Sequence, residues 1–118
     1  MQSINGKFEI KLWGGYQVLV TTDQSVTKLM SVKPHTCTSL QEHTNRDEMW
    51  SMVEGELYVE TEDRNVTMEV GDNVIILAGE KHRFSNYTDE TVYFIEVQTG
   101  ECKEDDIIRY IPSMNWSE

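Results

Sequence analysis

The stretch Ser39-Leu40-Gln41-Glu42-His43-Thr44-Asn45-Arg46-Asp47-Glu48 sets three potential metal donors at strand spacing. On an extended backbone, side chains two apart share a face, so Gln41 and His43 point the same way. Glu48 follows a short polar turn, at the head of the next strand. An amide oxygen, an imidazole and a carboxylate can therefore converge across a hairpin. A fourth donor, His82, comes after Gly79. Mixed nitrogen and oxygen donors from neighbouring strands suit a borderline divalent metal: zinc, iron, manganese, cobalt or nickel. Thiolates are absent from the set, which speaks against a structural zinc knot. Taken alone, the same spacing also fits a hydrogen-bonded structural histidine and a solvated hairpin glutamate.

Outward from this stretch the chain reads as short strands. Runs rich in Val, Ile, Thr, Tyr and Phe recur at Phe8–Trp13, Tyr16–Thr22, Val26–Val32, Thr36–Glu42, Glu48–Glu54, Glu56–Glu62, Asn65–Val70, Asn73–Leu77, His82–Asn86 and Thr91–Gln98. Breaks are expected at Gly14-Gly15, Lys33-Pro34, Gly55, Gly71-Asp72 and Gly79-Glu80, among others. Many short strands at this spacing predict an all-β sandwich or barrel. Alternation agrees: Glu48, Trp50 and Met52 fall on one face of their strand, and Met49, Ser51 and Val53 on the other. The tail differs. Glu104, Asp105 and Asp106 suit the first turn of a short helix, which Pro112 would stop. The expectation there is a short C-terminal helix or coil.

Length and charge narrow the possibilities. A chain of 118 residues has room for a single domain, spanning 1–118. It carries 21 Asp and Glu against 10 Lys and Arg, a formal charge of −11, and its cations form no run. Nucleic acids and anionic membranes need clustered positive charge, so neither is an expected partner. No apolar stretch reaches transmembrane length, and Met1–Lys11 lacks the apolar core of a signal peptide. The expected compartment is the cytoplasm. Cys37 and Cys102, far apart, read as two reduced thiols.

The spacing of the donors resembles the two motifs of the cupins. Gln41, His43 and Glu48 are followed by a glycine seven positions on, Gly55; then come Gly71, Gly79, His82 and Asn86. Leu77 stands where Pro is usual, His35 where Gly is usual, and Gln41 where most cupins have His. Within the cupins, the chain is similar to the type II mannose-6-phosphate isomerase domain, usually the C-terminal domain of bifunctional mannose-1-phosphate guanylyltransferases. The resemblance rests on Trp13-Gly14, Ser39-Leu40-Gln41-x-His43, Arg46-x-Glu48-x-Trp50, Ala78-Gly79-x-Lys81-His82-Arg83, Glu96-Val97-Gln98-Thr99-Gly100 and Glu104-Asp105-Asp106-Ile107-Ile108-Arg109, over about residues 11–110. A Gln at the first ligand position is usual in that family. After Arg109 the sequence departs from the family's usual ending.

The resemblance implies a cupin double-stranded β-helix, a jelly-roll barrel, that interconverts mannose 6-phosphate and fructose 6-phosphate. It implies one divalent ion, zinc foremost, held by Gln41, His43, Glu48 and His82. The reaction needs a base, a stabiliser of the enediolate and cations for the phosphate. Arg109 and Lys81 are the favoured phosphate holders, with Arg46 as a further substrate contact. Glu96, a carboxylate inside the apolar run Phe94-Ile95-Glu96-Val97, is the candidate base; it equally suits a structural partner for an Arg. Trp50 and Trp13 suit packing, and Trp50 also offers a face to a sugar. The competing expectation is a cupin that binds a sugar or sugar nucleotide without isomerising it, as a regulatory or partner subunit. A homodimer is expected, paired through the strand Phe8–Trp13.

Overall fold

In a computed structural model the described residues are 2–3, 8–101 and 106–116, and they fold into two β-sheets. Strands β1–β14 are Gln2–Ser3, Phe8–Lys11, Gly14–Thr21, Ser25–Val32, Thr36–Cys37, Leu40–Glu42, Arg46–Glu54, Leu57–Thr61, Asn65–Met68, Asn73–Ile76, His82–Asn86, Val92–Gly100, Ile108–Ile111 and Met114–Asn115. One sheet runs β1-β3-β4-β12-β7-β10, with β2 also on β3. The other runs β13-β6-β11-β5-β14, with β8 on β11 and β9 on β8. Every pairing is antiparallel.

The core lies between the sheets. Alternate residues of β7 (Trp50, Met52) and β12 (Val92, Phe94) meet Leu57, Val59 and Phe84 from the opposite sheet. Phe84 makes edge contacts with Trp13, Trp50 and Phe94, ring centroids 5.0–5.5 Å apart. The alternation read from β7 therefore decides which face is inside: Glu48 shares it with Trp50 and Met52 and is buried with them.

Three expectations about elements change. Gly14-Gly15 is not the break between strands. The turn is Leu12-Trp13, and both glycines lie in β3, opposite Lys11 and Ile10. A Cβ on Gly14 would sit 2.1 Å from the Ser31 carbonyl oxygen, so these glycines permit close strand approach. The run Thr36–Glu42 divides into β5 and β6, which pair with different parts of β11. The tail holds no helix among the described residues. Ile108–Ile111 adds to the edge of β6 and Met114–Asn115 to β5, because those edges offer unpaired backbone groups and the tail brings β-branched Ile108 and Ile111. Glu104 and Asp105 lie outside the described residues. No helix among the described residues is long and apolar enough to cross a membrane.

Candidate metal centre

Three elements deliver the donors. His43 follows the end of β6, Glu48 sits on the inner face of β7, and His82 opens β11. All three are buried, and their ligand-type atoms lie within 4.8 Å of one another. His43 Nε2 is 3.2 Å from Glu48 Oε2, and His82 Nε2 is 3.9 Å from Glu48 Oε1. Each imidazole is fixed from behind. His43 Nδ1 bonds the Asp106 carbonyl at 3.1 Å and His82 Nδ1 bonds the Glu80 carbonyl at 2.9 Å. A carbonyl only accepts, so both Nδ1 atoms carry the hydrogen and both Nε2 lone pairs face Glu48. Histidine ligands of metals are commonly oriented this way. His82 Nε2 is buried without a hydrogen-bond partner, a cost that a metal ion there would remove. The set fits a divalent ion.

Burial acts on the titration of the centre. It lowers His43 to about 4, helped by the Arg46 charge, and it lowers His82 as well. Both rings are neutral at pH 7, as ligation requires. Glu96, inward on β12, is raised to about 8, first by burial and then by the neighbouring Glu48. One indole N–H, Trp50 Nε1, donates to Glu48 Oε1 and to Glu96 Oε1, each at 3.0 Å. Gln98 Nε2 donates to Glu96 Oε2 at 2.8 Å.

The centre floors a cavity of about 150 Å³, bounded by Gln41, His43, Arg46, Glu48, Trp50, Glu96 and Arg109 among others. Most sites that engulf a ligand are about 300–1,000 Å³. A larger ligand would therefore reach in with one end and stay partly outside. Gln41 stands beside His43, its Nε2 3.4 Å from His43 Nε2 and its Oε1 accepting from Ser39 Oγ at 2.7 Å. Arg109 is exposed at the cavity mouth, opposite Gln41 in the β13–β6 register. Lys81 is not part of the cavity wall; its Nζ lies 4.5 Å from the Tyr110 ring centroid. Trp50 packs on Phe84, Phe94 and the His82 ring.

Among the wall residues that sequence reasoning missed are the cations Lys11 and Lys28 and the polar Ser39 and Gln98. Lys28 is buried, directly across from Glu96 in the β12–β4 register, with Nζ 4.1 Å from the Tyr16 ring centroid. Its signal was present. Lys28 shares the phase of Met30 and Val32 on one strand face, as Glu96 does with Phe94.

Two facing sheets, a buried centre of two histidines and a glutamate, and a cation-lined cavity define a cupin-type barrel with a candidate metal site. The solved structures agree on the fold. A sugar phosphate isomerase of the cupin superfamily from Silicibacter pomeroyi superposes with a TM-score of 0.66 at 25% identity, over 72% of this chain and 58% of its own. KdgF from Halomonas sp. reaches 0.75 at 13% identity over 84% and 91%. The profile of the mannose-6-phosphate isomerase C-terminal family matches residues 6–111, and the chain belongs to that family. Among curated relatives, a mannose-1-phosphate guanylyltransferase from Sinorhizobium fredii is 35% identical over 101 residues, 85% of this chain. The alginate biosynthesis protein AlgA from Pseudomonas syringae is 33% identical over 99 residues, 83% of this chain. The chain spans only about a fifth of the length of either relative.

Proposed function

We propose that this chain is a metal-dependent sugar-phosphate isomerase that interconverts mannose 6-phosphate and fructose 6-phosphate for nucleotide-sugar or polysaccharide biosynthesis. The observation that carries the reading is the pair of Nε2 lone pairs aimed at Glu48 beneath a cavity walled by cations. His43, Glu48 and His82 would hold the ion, with Gln41 as a fourth donor once its amide oxygen turns inward; zinc suits this donor set best. When bound, the ion supplies Lewis acidity toward the substrate oxygens.

The protein's own groups do the rest. Glu96 takes the proton beside the carbonyl and returns it to the adjacent carbon. Its placement beside Trp50 Nε1 and Gln98 fixes the carboxyl toward the centre. Arg46 faces negative charge that develops on the sugar. Arg109 and Lys11, at the mouth, hold the phosphate that the small cavity leaves outside. Lys81 lies off the wall, so its part is confined to the approach. The free, buried thiol of Cys37 fits a reducing compartment, and we assign the reaction to the cytoplasm.

A coupled assay on mannose 6-phosphate, comparing metal-loaded with chelated protein, tests this. Turnover only in the loaded form supports the isomerase. No turnover in either form leaves the non-catalytic sugar-binding cupin in its place.

A further inference from the structure

Arg46 bonds the same atoms that the metal would need. Its Nη2 lies 3.0 Å from His43 Nε2 and its Nε donates to Glu48 Oε2 at 3.1 Å. Its third nitrogen, Nη1, is buried with no hydrogen-bond partner. A neutral imidazole nitrogen has one in-plane lone pair. His43 Nδ1 carries the hydrogen, so Nε2 offers that single lone pair to Arg46 or to a metal, never to both. Glu48 is different, because each carboxylate oxygen can accept twice. Arg46 Nε can therefore stay on Glu48 while Nη2 must leave His43.

We propose that Arg46 is a metal-released oxyanion clamp: without metal it serves as the counter-cation of the ligand set, and metal loading frees its Nη1–Nη2 edge to grip an oxyanion of the substrate in the cavity. This rests on the metal-dependent reading above and adds a coupling to it. With Nε anchored, the two Nη atoms present the fork that matches a bidentate oxyanion. A buried guanidinium with both Nη atoms unpartnered is costly, and an anion removes the cost. Metal and oxyanion then favour each other, and the coupling is reciprocal. Substrate is gripped where the Lewis acid is already in place, which keeps an unloaded site from sequestering it.

The test uses cobalt(II) with chelator competition and its visible spectrum as readouts, and sulfate as the oxyanion probe. In the wild type, sulfate should tighten cobalt binding by about 5-fold or more, a usual size for such coupling. Arg46→Met should bind cobalt about 5-fold or more tightly than wild type without sulfate, and sulfate should no longer alter its affinity. A merely structural Arg46 predicts the reverse, since loss of a supporting bond to ligands weakens metal binding about 10–100-fold. Equal or weaker cobalt binding by Arg46→Met, or sulfate coupling that survives the substitution, overturns the proposal. A second measurement needs no variant. Nitrogen-15 NMR of the wild type should show Arg46 Nη2–H losing its bond to His43 on zinc loading; an unchanged signal at full occupancy overturns the proposal. A wild type that binds no cobalt or zinc overturns the metal-dependent reading itself, whereas wild-type binding without the Arg46 effects sinks the clamp alone.

Discussion

Burial moves three side chains of the centre in opposite senses, and this sets a pH profile. Between its folded value of about 4 and its unfolded value of 6.5, His43 binds fewer protons in the folded chain. Its contribution is complete above 6.5 and is lost as pH falls through that window. His82 acts in the same direction. Glu96 does the opposite: the folded chain keeps a proton between 4.5 and about 8, so its contribution is complete below 4.5 and is lost as pH rises through about 8. Two histidines outweigh one glutamate below 6.5, and only Glu96 acts above it. The chelated protein is therefore expected to be most stable near pH 6.5, and Glu96→Gln should remove the decline on the alkaline side and steepen the rise between 4.5 and 6.5. Thermal melts by circular dichroism between about pH 4 and 9 check this; a chelated wild type still gaining stability beyond pH 7 contradicts it. Ligand and base also separate by substitution. His82→Ala should lower zinc affinity by about 100-fold or more, beyond the usual effect of losing an outer hydrogen bond. Glu96→Gln should leave zinc affinity largely unchanged and lower kcat by about 10²–10⁴-fold. Equal losses of zinc affinity in the two variants would reject this division of roles.

At the scale of elements, the close approach of β3 to β4 is a point of vulnerability. Gly14 has φ of 142° and no room for a Cβ beside the Ser31 carbonyl, whereas Gly71 has φ of 95° and open space around it. Gly14→Ala should cost about 2–4 kcal/mol, from both conformation and clash. Gly71→Ala should cost about 1 kcal/mol, from conformation alone. Urea midpoints would show the difference, and equal costs would mean that β3 can back away from β4. The same strands show how far local pattern reaches. Period-two alternation put Glu48 in phase with Trp50 and Met52 on β7, and the apolar run around Glu96 marked β12. It did not find the split of Thr36–Glu42, since β5 and β6 are defined by their partners on β11 and not by a turn residue. It read Gly14-Gly15 as a turn because glycine serves tight turns and close strand contacts alike. The tail looked helical because Glu104-Asp105-Asp106 suits a helix start. In the fold, Asp106 instead accepts from Thr44 and Asn45 backbone nitrogens at 3.0 and 2.8 Å, bracing the loop that carries His43.

For the whole molecule, the net charge of −11 repels an anionic substrate, but four of the ten Lys and Arg residues (Lys11, Lys28, Arg46 and Arg109) border one cavity. Screening over about 8–10 Å confines the repulsion to the approach, so association with substrate should quicken with moderate salt. The same charge bears on assembly. β2 pairs with β3 on one side; its Phe8 and Ile10 and the adjoining turn residue Leu12 are exposed, Ile10 to 78%. We propose that two copies pair through this edge. Sedimentation at micromolar concentration should give a dimer whose dissociation constant falls from low salt to about 150 mM as like charges are screened. Ile10→Lys should shift it toward monomer; a wild-type monomer under these conditions refutes the pairing.

The sequence by itself determined the all-β class, the shared face of Glu48, Trp50 and Met52, and the candidate donors Gln41, His43, Glu48 and His82. These are properties of period-two geometry and of spacing along one chain, and the resemblance extended them to a family. The tertiary structure decided what no spacing holds. It brought Arg46 onto His43 and Glu48, set Lys28 across from Glu96, turned Lys81 away toward Tyr110, and supplied the Asp106 and Glu80 carbonyls that fix the imidazoles. Each of these depends on which strand lies beside which and on how deeply a group is buried. Low dielectric and single lone pairs then make those neighbours consequential, and neither is a property of local sequence.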